Sequence, residues 1–85
     1  MLTENETIKW ALEYLAVFNN ETEFLLPINN CLANITVKSF EKALSELWKS
    51  ESNLGVNIAM ASKNKKMMFH IFESEYEYEI YMSKL

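Results

Sequence analysis

Arginine, aspartate and glutamine are missing from this chain, and glycine, proline, cysteine and histidine occur once each. Without arginine there is no bidentate grip on phosphate or on guanine edges, so anions can be held only by lysine ammonium groups or backbone N–H groups. A single cysteine, Cys31, permits no internal disulfide and no cysteine-based zinc cluster, which points to a reducing compartment. With Gly55 the only glycine, a glycine-rich phosphate loop cannot form. Disordered and fibrous chains are rich in glycine and proline, so their scarcity here argues for a folded domain. Long apolar runs are also missing. Met1-Leu2-Thr3-Glu4 leads into a polar, acidic segment rather than a basic start and an apolar stretch, so we expect a cytoplasmic protein that does not cross a membrane. One histidine, one cysteine and scattered glutamates do not approach metal-ligand spacing, and neither a metal nor a cofactor is expected.

What the chain does contain suits a compact fold. Its 85 residues, 49% of them apolar, fill one small domain spanning 1–85 and leave no room for a second core. All eight cations are lysine and all twelve acids glutamate, for a net charge of -4, whereas a nonspecific nucleic-acid binder is normally basic. Asn, Lys, Ile, Phe, Tyr and Met outnumber Gly, Ala, Arg and Pro 37 to 8, the bias of AT-rich coding, which suggests a low-GC bacterium or a phage or mobile element living in one. Asn-x-Thr sequons at Asn5, Asn20 and Asn34 are read as coincidence in so asparagine-rich a chain.

Helical and extended patterns alternate along the sequence. Thr3-Glu4-Asn5-Glu6 has the form of a capping box and predicts a helix over about 4–18, with Ile8, Ala11, Leu12, Leu15 and Phe18 on one stripe. Trp10, Tyr14 and Val17 form a second stripe, a face for the core or for a second copy or partner chain. Residues 21–26 read as a short extended segment stopped by Pro27, followed by a short helix over 28–33, a turn at Asn34 and a helix cap at Thr36. Val37, Phe40, Leu44, Leu47 and Trp48 then repeat at helical spacing over 37–50, with Lys38, Lys42, Ser45 and Lys49 on the opposite face. Residues 56–62 and 67–72 read as strands joined by a turn at Lys63-Asn64-Lys65-Lys66. The tail from Glu73 to Met82 fits a strand, with Glu73, Glu75, Glu77 and Glu79 on one face, or a helix begun by a second capping box, Ser74-x-x-Glu77. Its alternation and tyrosines favour the strand.

The fold class expected is α+β, with two main helices packed on a C-terminal antiparallel hairpin or three-stranded sheet. This order of elements resembles a winged helix-turn-helix over residues 4–72, although no family signature is matched. That resemblance implies a DNA-binding regulator with 37–50 as recognition helix, reading through Lys38, Lys42, Ser45 and Lys49, and a wing carrying Lys63, Lys65 and Lys66. Residues 36–66 carry a net charge of +3 while the flanking segments are acidic, as that role requires. The other expectation takes the tail as the site. Four glutamates spaced about 6.8 Å apart on an extended strand would imitate a nucleic-acid backbone. On that basis we expect a small non-catalytic inhibitor, of phage or mobile-element type, that occupies a surface of a larger host protein through Glu73, Glu75, Glu77, Glu79 and Tyr81. Catalysis finds no matching pattern: His70 lies among Met68, Phe69, Ile71 and Phe72, and no aspartate exists to orient it toward Cys31.

Overall fold

The computed structural model describes residues 3–85; Met1 and Leu2, where the lack of an export leader was read, lie outside it. The fold is α+β. Helix α1 (Glu4–Tyr14) runs into a single 3₁₀ turn (Ala16–Phe18), strands β1 (Glu23–Ile28) and β2 (Cys31–Thr36) form a hairpin, and helix α2 (Phe40–Glu51) follows. Strands β3 (Asn57–Ser62), β4 (Met67–Glu73) and β5 (Tyr78–Lys84) complete one five-stranded sheet in the order β2-β1-β3-β4-β5, antiparallel throughout. Among the described residues no helix is long and apolar enough to cross a membrane.

The first helix begins where the sequence places it. The Thr3 hydroxyl accepts from the Glu6 N–H at 3.1 Å and the Glu6 carboxylate accepts from the Thr3 N–H at 3.1 Å, closing the capping box. The helix ends four residues sooner than the stripe suggests. At Leu15 the chain tightens, and Phe18 reaches the core from the 3₁₀ turn.

The stretch read as a short helix is instead the β1–β2 hairpin. Asn29 and Asn30 both take positive φ, 48° and 67°, the conformation of a two-residue primed turn whose twist matches its flanking strands. Asparagine tolerates that backbone better than other residues with a Cβ. Pro27 does not stop β1. Ile28 and Cys31 flank the turn as the hydrogen-bonded pair, so the next pair, Pro27 with Leu32, exchanges no backbone bonds and the missing N–H is not needed there. On its other side β1 pairs with β3 only at Phe24 and Leu25, so Pro27 deprives no neighbour of a partner.

Two further boundaries move for the same reason. Asn34 and Thr36 lie within β2 rather than at a turn and a cap, and α2 starts at Phe40 with Ser39 as its cap, accepting from the Lys42 N–H at 3.3 Å. Lys38 is therefore exposed in the connection and not on the helix. The hairpin also removes the middle helix that a winged helix-turn-helix requires, and the supposed wing, β3–β4, sits inside the sheet between β1 and β5. The winged form is corrected to a two-layer domain, and the expected hairpin or three-stranded sheet to five strands.

Both helices cover the same sheet face. Phe24, Ile58, Met60, Phe69 and Ile71 project from it into a core shared with Ile8, Ala11 and Leu15 of the first helical segment and Phe40, Leu44 and Trp48 of the second. Four phenylalanine rings form its centre: Phe18 lies 6.2 Å from Phe24, 5.8 Å from Phe40 and 5.1 Å from Phe69. Phe40 stacks on Phe24 at 5.4 Å and meets Phe69 edge-on at 5.8 Å. One polar tie is buried beside them. The Ser62 hydroxyl donates to the Glu21 carboxylate at 2.9 Å and accepts from the Lys65 N–H at 3.2 Å, fixing the end of β3 to the loop before β1.

Removing the ring of Phe18 strips the cluster of its shared member, so Phe18→Ala should cost about 3–5 kcal/mol in urea unfolding. Ser62→Ala leaves a buried carboxylate and a backbone N–H each short of a partner. A loss of about 1–3 kcal/mol is expected, and a change below a few tenths would show that the tie contributes nothing.

Candidate functional site

The antiparallel register places the lysine turn and the glutamate turn at opposite ends of the sheet. At one end β3 passes into β4 through Lys63–Lys66, the adjoining backbone of Leu85 donates to Lys66 at 2.9 Å, and Lys84 closes the β4–β5 pairing opposite Met67. The opposite end carries the turn from Glu73 to Tyr78, with the α2 terminus and Glu51 nearby at the start of β3. A six-residue strand separates these ends by roughly 17–20 Å. Lys63, Lys65 and Lys66 lie together at the first of these ends, Val37 beside Lys38 bonds Thr22 just before β1 at that same end, and Lys49 stands exposed in the last turn of α2, with Ser45 half-buried on the same helix.

The tail is strand, yet its glutamates do not form a row. Glu73 is the last residue of β4 and pairs with Tyr78, the first of β5, so the chain reverses between them. The Ser74-x-x-Glu77 motif closes this reversal. The Ser74 hydroxyl accepts from the Glu77 N–H at 3.2 Å, as a helix cap would, but it also donates to the Glu77 carbonyl at 2.9 Å, and the Ser74 N–H bonds that same carbonyl at 2.7 Å. Glu75 and Glu77 stand exposed on the turn with Tyr76 at its tip, 89% exposed. Glu73 and Glu79 emerge on opposite sheet faces, because successive strand positions alternate. Evenly spaced carboxylates on one strand are therefore replaced by a compact acidic corner.

Two of the four glutamates are engaged within the chain. The Glu73 carboxylate accepts from the Val56 N–H at 3.1 Å, tying the β4 terminus to the residue before β3. The Glu79 carboxylate accepts from the Tyr81 hydroxyl at 2.7 Å, a bond that raises the Tyr81 pKa above the ordinary tyrosine range, reinforced by the negative charge of Glu79 itself. Glu51 is also shifted upward, by burial, against the opposing pull of the Asn57 N–H.

Beside the acidic corner lies a groove of about 700 Å³. Glu4, Thr7 and Trp10 of α1 form one wall, Trp48 and Ser52 contribute from the end of α2, and the Glu73–Tyr78 turn forms the other wall. The second stripe of the first helical segment, open to the core or to a partner, turns out to be largely uncovered. Trp10, Tyr14 and Val17 are 38%, 54% and 40% exposed, and Trp10 contacts Tyr14 with ring centres 6.5 Å apart. Sequence periodicity put Trp48 in the core, where it is, without revealing that it also borders a cleft. Its Nε1–H is buried and has no hydrogen-bond acceptor. The Tyr78 ring packs 5.3 Å from the indole, with its hydroxyl near enough to feel the N–H but not in bonding geometry. Burial first, then the charges of Glu73 and Glu4, raise the Tyr78 pKa.

The sheet face away from the helices is covered by no described element. Leu25, Ala59, Ala61, Met68 and Phe72 project there, with Phe72 and Tyr81 stacked at 5.8 Å and an interplanar angle of 12°. His70 stands in this layer 5.5 Å from Phe72, its Nε2 lying 2.6 Å from Asn57 Oδ1. Cys31 is exposed on β2, with β1 and β3 between it and His70's strand, so the two never form a nucleophile and base. Among the described residues no group of three or more His, Cys, Asp or Glu side chains could hold a metal ion. No protein-family model, curated protein or solved structure matches the chain.

The protonated Tyr81 hydroxyl is the donor to Glu79. Its raised pKa therefore adds stability that is full below the ordinary tyrosine range and is lost as pH climbs through the folded-state value. In an ultraviolet titration of tyrosinate, Glu79→Gln should move one tyrosine back toward its ordinary midpoint of about 10, and an unchanged titration curve would show that the bond does not form in solution.

Proposed function

We propose that this is a small non-catalytic binding domain that occupies a basic surface of a larger protein through its acidic corner. The observation that carries the reading is the concentration of Glu75 and Glu77 around the exposed Tyr76, at the end of the sheet away from the lysine turn. Aromatic side chains supply much of the energy at protein contacts, while surrounding charge steers the encounter and excludes wrong partners. Glu79 and Tyr81 extend the contact onto the uncovered sheet face, and Glu73 serves it indirectly by fixing the turn. The Trp10–Tyr14 pair borders the same region and offers it a second apolar anchor or a face for a second copy.

We take it to be an inhibitor of phage or mobile-element type, the origin suggested by its AT-rich residue bias, acting on a host protein in a reducing cytoplasm where the exposed Cys31 stays a thiol. Imitation of a regular phosphate backbone is no longer part of this reading, because the carboxylates cluster instead of repeating. A DNA-binding role has less support, since the middle helix of the winged form is a hairpin and β3–β4 lies within the sheet instead of standing free as a wing.

Capture from a low-GC bacterial lysate distinguishes these readings. Immobilised wild-type domain should retain a partner that is released by moderate salt; a Glu75→Gln, Glu77→Gln, Glu79→Gln variant should lose it, and a Lys38→Ala, Lys42→Ala, Lys49→Ala variant should keep it. Retention indifferent to the carboxylates, or a gel shift of genomic DNA by the wild type at low salt, would overturn the proposal.

A further inference from the structure

The groove next to the acidic corner combines three features that seldom meet by packing alone. Its walls include the partly exposed face of Trp10 and the ring of Tyr78; Glu73, Glu75 and Glu77 line its rim; and the fully buried Trp48 at its border holds an indole N–H with no acceptor. A buried tryptophan N–H is ordinarily satisfied, and leaving it unpaired costs about 1–3 kcal/mol. Carboxylates beside aromatic faces attract an ammonium or guanidinium group, through charge and through the ring quadrupole together. An unused N–H donor calls for a different partner, a carbonyl oxygen. One class of guest carries both groups a few ångströms apart: a polypeptide segment containing lysine or arginine.

We propose that the groove receives a basic peptide segment, its cationic side chain lying against Trp10 among Glu73, Glu75 and Glu77 and its backbone carbonyl accepting the Nε1–H of Trp48. This inference rests on the reading of the acidic corner as the binding surface and names what it recognises. The guest's carbonyl reaches Trp48 when the Tyr78 hydroxyl, which lies nearest the indole N–H, swings aside. Tyr78 is half-buried and is the first residue after the turn, and its ring packs on the Trp48 indole at the edge of the core, so the movement required is of the hydroxyl end of the ring at the groove wall. Acidic and neutral segments are refused, the first by the carboxylates and the second for want of any charge to hold them at the rim.

Two probes separate the parts of this recognition. A trilysine peptide capped at both ends offers charge and carbonyls, whereas spermidine offers charge alone. In ¹⁵N-resolved NMR, with the two indole signals assigned through Trp10→Phe, the capped trilysine peptide should shift the Trp48 indole signal and the backbone amides of Glu75 and Glu77. Spermidine should shift only the amides. Glu75→Gln together with Glu77→Gln should weaken the peptide about tenfold, as expected for losing two charge partners at a half-open site. Tyr78→Phe keeps the ring and removes the covering hydroxyl, so it should bind at least as tightly as the wild type and show a folded spectrum. If the peptide shifts the amides and leaves the Trp48 indole unmoved, or if spermidine moves that indole equally, this inference fails while the acidic corner stands as a binding surface. Peptide that shifts nothing overturns the groove as a site, and the lysate capture then decides separately whether the acidic corner binds at all.

Discussion

The architecture depends on four phenylalanine rings that hold two layers together on one side of the sheet. Phe24 and Phe69 belong to strands, Phe40 opens the second helix, and Phe18 comes from the tightened turn that ends the first, so a single contact cluster ties every layer to every other. Phe18 anchors the trailing end of α1. The leading end, Glu4 to Trp10, is consequently laid beside the β4–β5 turn rather than over the middle of the sheet, and the space left between them is the groove. Small domains have few kilocalories to spare, so a site placed at the margin of the core is formed at less cost than one cut through its centre.

The acidic corner follows from topology as much as from composition. Four glutamates in ten residues could have been spread along a strand; a reversal after Glu73 gathers them instead. Ser74 makes the reversal possible by bonding Glu77 through both its hydroxyl and its backbone. Glu73 and Glu79 then serve the structure at the two sides of the turn, leaving Glu75 and Glu77 with Tyr76 unengaged at its apex. A turn tip whose flanks are tied down presents charge in a fixed geometry, which lowers the entropy lost when a partner arrives.

Much of this was legible in the residues. The capping box at Thr3, the stripe of α2, the lysine-rich β3–β4 turn and the alternation of the tail each leave a local signature, and each element exists near its signature with shifted ends. The β1–β2 hairpin was not legible because its two strongest cues conflict. Pro27 reads as a strand breaker unless one knows that its position needs no N–H donor, and Asn29-Asn30 lacks the glycine that usually announces a primed turn. The tail's alternation correctly indicated extended chain but concealed where it folds back, since a residue such as Ser74 suits a helix cap and a turn equally well. The groove could not be foreseen from spacing at all. Trp48 follows the periodicity of a core residue, and only the coordinates reveal an indole donor with nothing to bond.

The lysine turn and the glutamate turn are held apart by the length of the strands between them, and this pair of clusters contributes a dipole moment along the strand axis. Near a positively charged macromolecule that moment exerts a torque. A tumbling domain of this size is turned before it touches, glutamates leading and lysines trailing, so that fewer collisions are wasted on the wrong orientation. Dissolved ions would weaken this alignment before they weakened any contact made after arrival.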